Sequence, residues 1–258
     1  MKALEKIGRG TIGFFEYAGG ITALAGESVG FVARLRIRYG ETLSQCYLLG
    51  VQSLIIVLLT SLFTGMVFSL ESAEQAVQYG VGSLVGGAVA YTSVRELGPM
   101  LSAVVVAGRC GAAIAAELGS MVVTEQIEAL RSMGLAPARF LVVPRLLALI
   151  IMLPLLAIFA DVVSIVGGMW IAGAVAHIGS GDFISSVRQT VGFEDVLKGL
   201  FKSIVFGVII ALVGAYQGLS TRGGAAGVGK ATTGAVVISI IAIFITNFIM
   251  SYLLYGGN

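Results

Sequence analysis

The chain has 258 residues, of which 57% are hydrophobic and only 12% are charged, and its net charge is +2. This composition excludes a water-soluble globular domain, and the small net charge gives no reason to expect a nucleic-acid partner. We therefore predict an all-α, polytopic membrane protein, in which many of the 36 glycines let helix backbones approach each other closely.

The N-terminal residues, 1–47, mix apolar side chains with too many charges to cross a bilayer. An amphipathic segment that lies at the membrane interface fits this pattern best. A solvated, poorly ordered leader is the alternative that these residues leave open.

Five later segments are apolar for at least the roughly 20 residues that a helix needs to cross the hydrocarbon core. Glu71 and Glu74 are expected to end the first segment. Pro99 predicts a break in the second, because proline removes a helical donor and disfavours helical geometry at Gly98, and Pro154 predicts a kink in the third. The predicted transmembrane domain, 48–258, thus contains spans at 48–70, 81–119, 141–176, 196–219 and 232–255.

Basic residues orient these spans. The loop at 72–79 has no lysine or arginine, and the segment 182–191 has the apolar spacing of a short amphipathic helix on the same, outer side. The positive-inside rule then places the N-terminus in the cytoplasm and the C-terminus outside, with Arg188 as the main exception. The basic residues on the cytoplasmic side are Lys2, Lys6, Arg9, Arg34, Arg36, Arg38, Arg131, Arg139, Arg145, Arg222 and Lys230.

Arg95 and Glu96 interrupt the second span. Ionisable groups at membrane depth cost several kcal/mol unless they face water or a partner, so they indicate a functional site. Neighbours on a helix point about 100° apart, so the two residues cannot simply neutralise each other, and at least one should face a polar cavity or meet another helix. Glu194 can offset Lys198 one turn later, which leaves Lys202 to pair with Glu96 or with a bound phosphate.

A short polar helix is predicted at 124–133, between the second and third spans. Thr124 is a suitable N-cap, Glu125 and Glu128 suit the positive end of a helix, and Gly134 with Pro137 should end it. A short polar helix with defined ends between two spans is typical of an element that docks on another protein. An ordinary connecting helix is the alternative.

The sequence offers no catalytic or metal site. Residues 224–230, GAAGVGK, look like a phosphate-binding loop, but Ala231 stands where a hydroxyl should bind magnesium and no strand precedes the loop. His177 has no metal ligands at suitable spacing, and Cys46 and Cys110 fit small apolar positions. We therefore expect no cofactor, and any ATP should be bound by another subunit.

Three motifs resemble the signature of the MlaE permease family: RELGP at 95–99, AGRCGAAIAAELGSM at 107–121 and TEQIEAL at 124–130. The resemblance extends from the first span to the C-terminus and includes FKSIVFG at 201–207 and GVGKATT at 227–233. Ala136 departs from the family, in which many members have an acidic or amide residue before the proline.

This resemblance implies the transmembrane subunit of an ABC transporter that moves phospholipids between the inner and outer membranes of Gram-negative bacteria and maintains outer-membrane asymmetry. It also implies a homodimer in the inner membrane, with a periplasmic C-terminus. The implied partners are ABC ATPase subunits, which bind the ATP, a periplasmic ring of MCE-domain subunits and, in some systems, a STAS-domain protein.

The resemblance also implies two groups of functional residues. A lipid cavity at the dimer interface would be lined by Tyr79, Arg95, Glu96 and Lys202. The coupling helix that docks on the ATPase would use Glu125, Gln126, Glu128, Leu130, Arg131, Met133 and Gly134.

Two other functions compete with this one. An ion-coupled secondary transporter of an amphiphilic substrate would use Arg95, Glu96 and Asp161, although the sequence shows none of the inverted repeats typical of that class. A non-transporting membrane scaffold is the third reading.

Overall fold

The computed structural model of the protein describes residues 2–34 and 38–256, with the backbone alone at 2–11 and 14. These residues form helices and turns without a strand, so the all-α prediction is confirmed. The side chains of Lys2, Lys6 and Arg9, and all of Arg36, lie outside the described part. The first helix is α1, Lys2–Ala33.

Five helices of the described chain are long and apolar enough to cross a membrane, as predicted. The first runs through Glu71 and Glu74 to Gln78, so the expectation that these glutamates end it is wrong: both are exposed, and an exposed carboxylate does not break a helix. The spans are α2, Tyr39–Gln78; α3, Gly82–Val123; α5, Ala138–Ala176; α7, Phe193–Leu219; and α8, Gly224–Tyr255.

Two shorter helices connect these spans: α4, Gln126–Ser132, and α6, Ser180–Thr190. Helix α6 forms where the outer amphipathic helix was predicted. Its Phe183 is buried. The backbones of α6 and α3 meet closely at this residue, since a Cβ added at Gly86 would lie 2.3 Å from the Phe183 carbonyl oxygen. The backbone N–H of Gly87 also donates to Ser186 Oγ at 2.9 Å. The apolar face of α6 therefore packs on protein.

The break in α3 differs from the prediction. Gly98 has helical dihedral angles, φ −61° and ψ −56°, so the expected distortion at this residue is absent. Instead, a π-helical turn at Ser93–Leu97 ends two residues before Pro99. One extra residue in that turn accommodates the proline without ending the helix. Further π-turns occur at Cys46–Gly50, Ala107–Gly111 and Ala138–Val142.

Small residues bring α2 against α5. Ser61, Gly65 and Ser69 are buried at four-residue spacing on one face of α2. A Cβ added at Gly65 would lie 2.1 Å from the Ser164 carbonyl oxygen, and Ser69 Oγ donates to the Gly168 carbonyl at 2.7 Å. These contacts hold the two helix backbones together where a larger side chain would separate them.

Helix α1 packs against the C-terminal end of α7. The rings of Tyr17 and Tyr216 meet edge to face with centroids 4.9 Å apart, and Gln217 Nε2 donates to the Tyr17 hydroxyl at 3.2 Å. Ile21 and Leu24 pack against the hydrophobic core. The interfacial position of this helix stays a prediction.

Candidate functional site

A group of polar side chains joins three spans near the N-terminal end of α7 and the C-terminal end of α8. It combines two cations, two carboxylates, two neutral hydrogen-bonding groups and two aromatic rings. We call it the polar cluster, and its members are Tyr91, Arg95, Glu96, Asp195, Lys202, Asn247, Ser251 and Tyr255.

Lys202 lies at the centre of the polar cluster and is fully buried. Its Nζ donates to Glu96 Oε1 at 2.7 Å, to Ser251 Oγ at 2.7 Å and to the Arg95 carbonyl oxygen at 3.0 Å. The carbonyl belongs to the π-turn of α3. An ammonium has three hydrogens, so all its donors are used within the protein. Of the two anions that the sequence allows for Lys202, the structure provides Glu96.

Glu96 accepts hydrogen bonds on both oxygens. Ser251 Oγ donates to Oε1 at 2.7 Å, in addition to Lys202, and Asn247 Nδ2 donates to Oε2 at 2.8 Å. The carboxylate side chain nevertheless keeps 33% of its surface exposed. Glu96 is therefore the point at which the buried network meets the exterior of the chain.

Arg95 faces a different neighbour. Its Nε and Nη2 donate to Asp195 Oδ1 at 2.7 and 2.6 Å, while the other oxygen of Asp195 accepts from the backbone N–H of Gly192 at 3.0 Å and caps α7. The guanidinium carbon lies 3.9 Å from the ring centroid of Tyr91 and 4.0 Å from that of Tyr255. The planar cation thus combines two hydrogen bonds to one carboxylate oxygen with cation–π contacts to two rings.

Two buried atoms of the polar cluster keep unused hydrogen-bonding capacity. Asn247 Oδ1 and the Tyr255 hydroxyl have no partner among the described residues. Buried polar groups are rarely left unpaired, because each costs about 1–3 kcal/mol. The charges of Arg95 and Lys202 balance those of Glu96 and Asp195, so the additional group that fits here is a polar one that accepts from the phenol or donates to the amide.

Helix α4 presents the second predicted site. Its Ile127 is buried, Leu130 is half-buried, and Gln126, Glu128 and Arg131 are exposed. Glu128 and Arg131 form an exposed ion pair at 3.1 Å. The predicted coupling residues therefore form a short polar surface on a helix anchored by one apolar side chain, with Met133 exposed just beyond it.

The start of α4 differs from the prediction, and its end agrees with it. Thr124 is not the N-cap: its hydroxyl donates back to the Ser120 carbonyl at the end of α3. Glu125 occupies the N-cap position with a left-handed φ of 59°, which is uncommon for a residue with a side chain. Gly134 adopts φ 72° and donates to the Arg131 carbonyl at 2.9 Å, as a glycine after a helix should.

The sequence profile of a family described as Permease MlaE matches residues 42–253, which include most of the five spans, the polar cluster up to Ser251 and α4. The chain belongs to the MlaE permease family. As a permease-type subunit of an ABC transporter, it is of a generally non-catalytic class that implies an ATPase partner. It is a multi-pass membrane protein.

Relatives of the permease come from cyanobacteria, plants and proteobacteria. The probable ABC transporter permease protein slr1045 of Synechocystis is 44% identical over 91% of this chain and 89% of its own. The chloroplastic protein Trigalactosyldiacylglycerol 1 of Arabidopsis thaliana is 36% identical over 92% of this chain and 68% of its own. The probable ABC transporter permease protein RT0041 of Rickettsia typhi is 35% identical over 96% of each chain.

Three of the four residues assigned to the lipid cavity of the permease meet in the polar cluster: Arg95, Glu96 and Lys202. Tyr79 does not join them in the described contacts; it follows the last turn of α2 with 81% of its surface exposed. Sequence reasoning missed five members, which are Tyr91, Asp195, Asn247, Ser251 and Tyr255. The last three recur every four residues along the apolar α8, a polar stripe on one helix face that the sequence does contain.

Asp161 of the permease lies apart from these ion pairs. It is buried on α5 with its Oδ1 against Gly98, where an added Cβ would lie 1.7 Å away, and that oxygen has no partner among the described residues. None of the described hydrogen bonds or ion pairs links it to Arg95 or Glu96. The three residues of the ion-coupled alternative are thus not joined in one site, and family membership favours ATP-driven transport.

Proposed function

We propose that the permease moves phospholipids between the inner and outer membranes of a Gram-negative bacterium and so maintains outer-membrane asymmetry. The observation that carries this proposal is the polar cluster: a charge-balanced, part-exposed group between spans, in which Asn247 Oδ1 and the Tyr255 hydroxyl have no partner in the part of the chain that the structure describes. Charged groups are retained at membrane depth where polar substrates pass.

The surroundings of the polar cluster suit an amphiphile. Phe248, Tyr252 and Leu253 are exposed apolar side chains on α8, each within one turn of Ser251 or Tyr255. A lipid headgroup would lie against Glu96 and the Tyr255 hydroxyl, and its acyl chains would follow the apolar surface. A second copy of the permease facing this surface would enclose the chains, which is the homodimer we propose.

The relatives support a lipid substrate. The Arabidopsis protein carries the name of a glycerolipid and matches 92% of this chain. We extend that chemistry to the permease and assign phospholipid as its substrate.

Helix α4 would connect transport to ATP. In the proposed assembly the ATPase grips Gln126, Glu128 and Arg131, ATP binding draws the two α4 helices of the dimer together, and the cavity that holds the acyl chains collapses. Lipid then passes to or from a periplasmic ring of MCE-domain subunits. A STAS-domain protein would bind on the cytoplasmic side.

The test uses the permease reconstituted with its ATPase and MCE partners in liposomes that contain a fluorescent phospholipid. Tyr255→Phe removes only a hydroxyl that has no described partner, so folding should be unchanged while ATP-driven lipid transfer falls about tenfold, the loss of one hydrogen bond to a charged group. Tyr252→Phe removes an exposed hydroxyl one turn away and is the matched control.

Wild-type rates for the Tyr255→Phe variant would contradict the role of the polar cluster. Transfer driven by a proton gradient in the absence of ATP would replace the proposal with the ion-coupled secondary transporter.

A further inference from the structure

Arg109 differs from the other cations that line the inside of the spans. Arg95, Arg145, Lys198 and Lys202 each pair with a carboxylate, at distances between 2.6 and 3.5 Å. Arg109 donates to neutral groups: the Leu48 carbonyl at 3.1 Å, Ser53 Oγ at 2.7 Å, Gln52 Oε1 at 2.9 Å and Cys110 Sγ at 3.9 Å. Among the described side chains, no carboxylate neutralises its charge.

The guanidinium also retains donors. Nη1 uses its two hydrogens on Leu48 and Ser53, and Nη2 uses one on Gln52. A guanidinium has five N–H groups, so the described bonds leave Nε–H and one hydrogen of Nη2. These remaining donors can bind the oxygens of a phosphate or carboxylate.

Arg109 lines a cleft of about 210 Å³ between α2 and α3. This volume is smaller than a typical site for a whole drug-sized ligand, so the cleft admits a headgroup and leaves acyl chains outside. The carboxylate of Glu117 also lines it but is held by Arg145 Nη2 at 2.7 Å, which offsets its repulsion of an anion. The lining includes Gln45, Leu48, Gln52, Arg109, Ala113 and Glu117.

The cleft lies at a boundary of the apolar layer. The partners of Arg109 on α2 stand at 48–53, where the uncharged run 48–70 begins. Arg109 follows Arg95 on α3 by 14 residues, or about 21 Å of helix, a separation that would place the cleft and the polar cluster in opposite halves of a hydrocarbon core about 30 Å thick. The exposed Val51 and Ile55 continue from the cleft into the apolar layer.

We propose that the Arg109 cleft binds the phosphate group of a phospholipid in the leaflet opposite the polar cluster. The cation, which has no carboxylate partner among the described side chains, supplies the charge, its remaining N–H groups supply donors, and the apolar rim accepts the beginning of the acyl chains. A lipid phosphate is favoured over free phosphate because the cleft is at headgroup level and opens onto exposed apolar side chains. This site is independent of the lipid site proposed at the polar cluster.

The experiment uses the full chain in liposomes with a phosphatidylglycerol analogue that carries a photoreactive diazirine on the acyl carbons next to the glycerol. Labelled peptides are mapped after digestion. We expect labelling at 45–53 and 109–117, reduced about tenfold by Arg109→Gln and largely retained by Arg109→Lys. Arg188→Gln, which removes an exposed arginine on α6, is the matched control and should label like wild type.

A diacylglycerol with the same diazirine lacks the phosphate, and in the wild-type protein it should label the cleft about tenfold less than the phospholipid. This comparison needs no variant, so it decides the proposal even where Arg109→Gln impairs folding. Label on the peptide containing Ser251 and Tyr255 reports separately on the polar cluster.

Equal labelling of the cleft by phospholipid and diacylglycerol would overturn the proposal, as would undiminished labelling in the folded Arg109→Gln variant. Displacement of the label by an excess of inorganic phosphate would assign the cleft to free phosphate and overturn the lipid assignment.

Discussion

The polar cluster and helix α4 use the same kinds of charged residue in opposite surroundings. Lys202 is fully buried and spends all three hydrogens on partners in other helices, whereas Arg131 and Glu128 keep 60% and 69% of their side-chain surface exposed and share one contact. Removing one partner of a buried pair costs about 3–5 kcal/mol, while an exposed pair is worth about 0–1 kcal/mol.

This difference in burial implies different roles for the charged residues of the polar cluster and of α4. The polar cluster holds three spans together, so its residues cannot change without structural cost. Helix α4 contributes little to stability through its charges, which leaves them free to bind another protein. Variants that alter the charges of each region therefore test the comparison directly.

The largest loss of stability is expected for Lys202→Met. This substitution leaves Glu96 charged and without its cation inside the spans, so the free energy of unfolding in detergent should fall by about 3–5 kcal/mol. Thermal unfolding of the purified chain measures it. The matched control is Lys198→Met on the same helix, whose partner Glu194 is 85% exposed, with an expected change below about 1 kcal/mol.

The double variant Glu96→Gln with Lys202→Met completes this test. It removes both charges, so it should be more stable than Lys202→Met alone. If Lys202→Met unfolds at the same temperature as Lys198→Met, the buried pair is not what distinguishes the polar cluster.

A smaller loss is expected where α7 touches the π-turn of α3. A Cβ added at Gly199 would lie 2.3 Å from the Val94 carbonyl oxygen, so Gly199→Ala must push the two helices apart at a cost of about 1–3 kcal/mol. Gly229→Ala on α8 meets no atom within 4 Å and should be neutral or stabilising by up to about 1 kcal/mol. If both variants lowered the melting temperature by the same amount, the close backbone contact between Gly199 and Val94 would not be what makes Gly199→Ala destabilising.

Arg95→Lys should cost less still, because it keeps the charge. A lysine cannot reproduce both donors to Asp195 or the flat contacts with Tyr91 and Tyr255, and we expect a loss of about 1–2 kcal/mol. The same change at Arg131, on the exposed α4, should stay within about 0.5 kcal/mol. Equal effects at the two positions, measured by unfolding in detergent, would mean that the geometry of Arg95 is unimportant.

The sequence predicts those parts of the molecule that depend on local pattern. The length of the apolar segments predicted the five spans. The four-residue spacing of Glu194 and Lys198 predicted their ion pair, and Gly134 predicted the end of α4. Charge balance narrowed the partner of Lys202 to two candidates, one of which is Glu96. Each of these signals acts within a few turns of helix or through a simple count of charges.

The remaining features depend on distant parts of the chain. Asp195 meets Arg95 across 100 residues of sequence, and Asn247 meets Glu96 across 151, so no local pattern pairs them. Pro99 signals a disturbance but does not specify whether the helix ends or inserts a π-turn. Thr124 is not the N-cap because its hydroxyl donates to a carbonyl of the preceding helix. A threonine hydroxyl can form either bond, so the sequence does not decide between them.

The smallest effect on stability, and the clearest effect on assembly, is expected for Glu128→Arg. The substitution breaks an exposed pair and places two like charges one turn apart, so the free energy of unfolding should change by less than about 1 kcal/mol. Co-purification of the ATPase should nevertheless be lost, since the reversed charge lies on the proposed docking surface. Glu194→Arg makes the same charge change at an exposed, ion-paired carboxylate on α7 and should leave ATPase binding intact. If both variants retain the ATPase, α4 is only a connecting helix; if both lose it, net charge rather than the surface of α4 governs assembly.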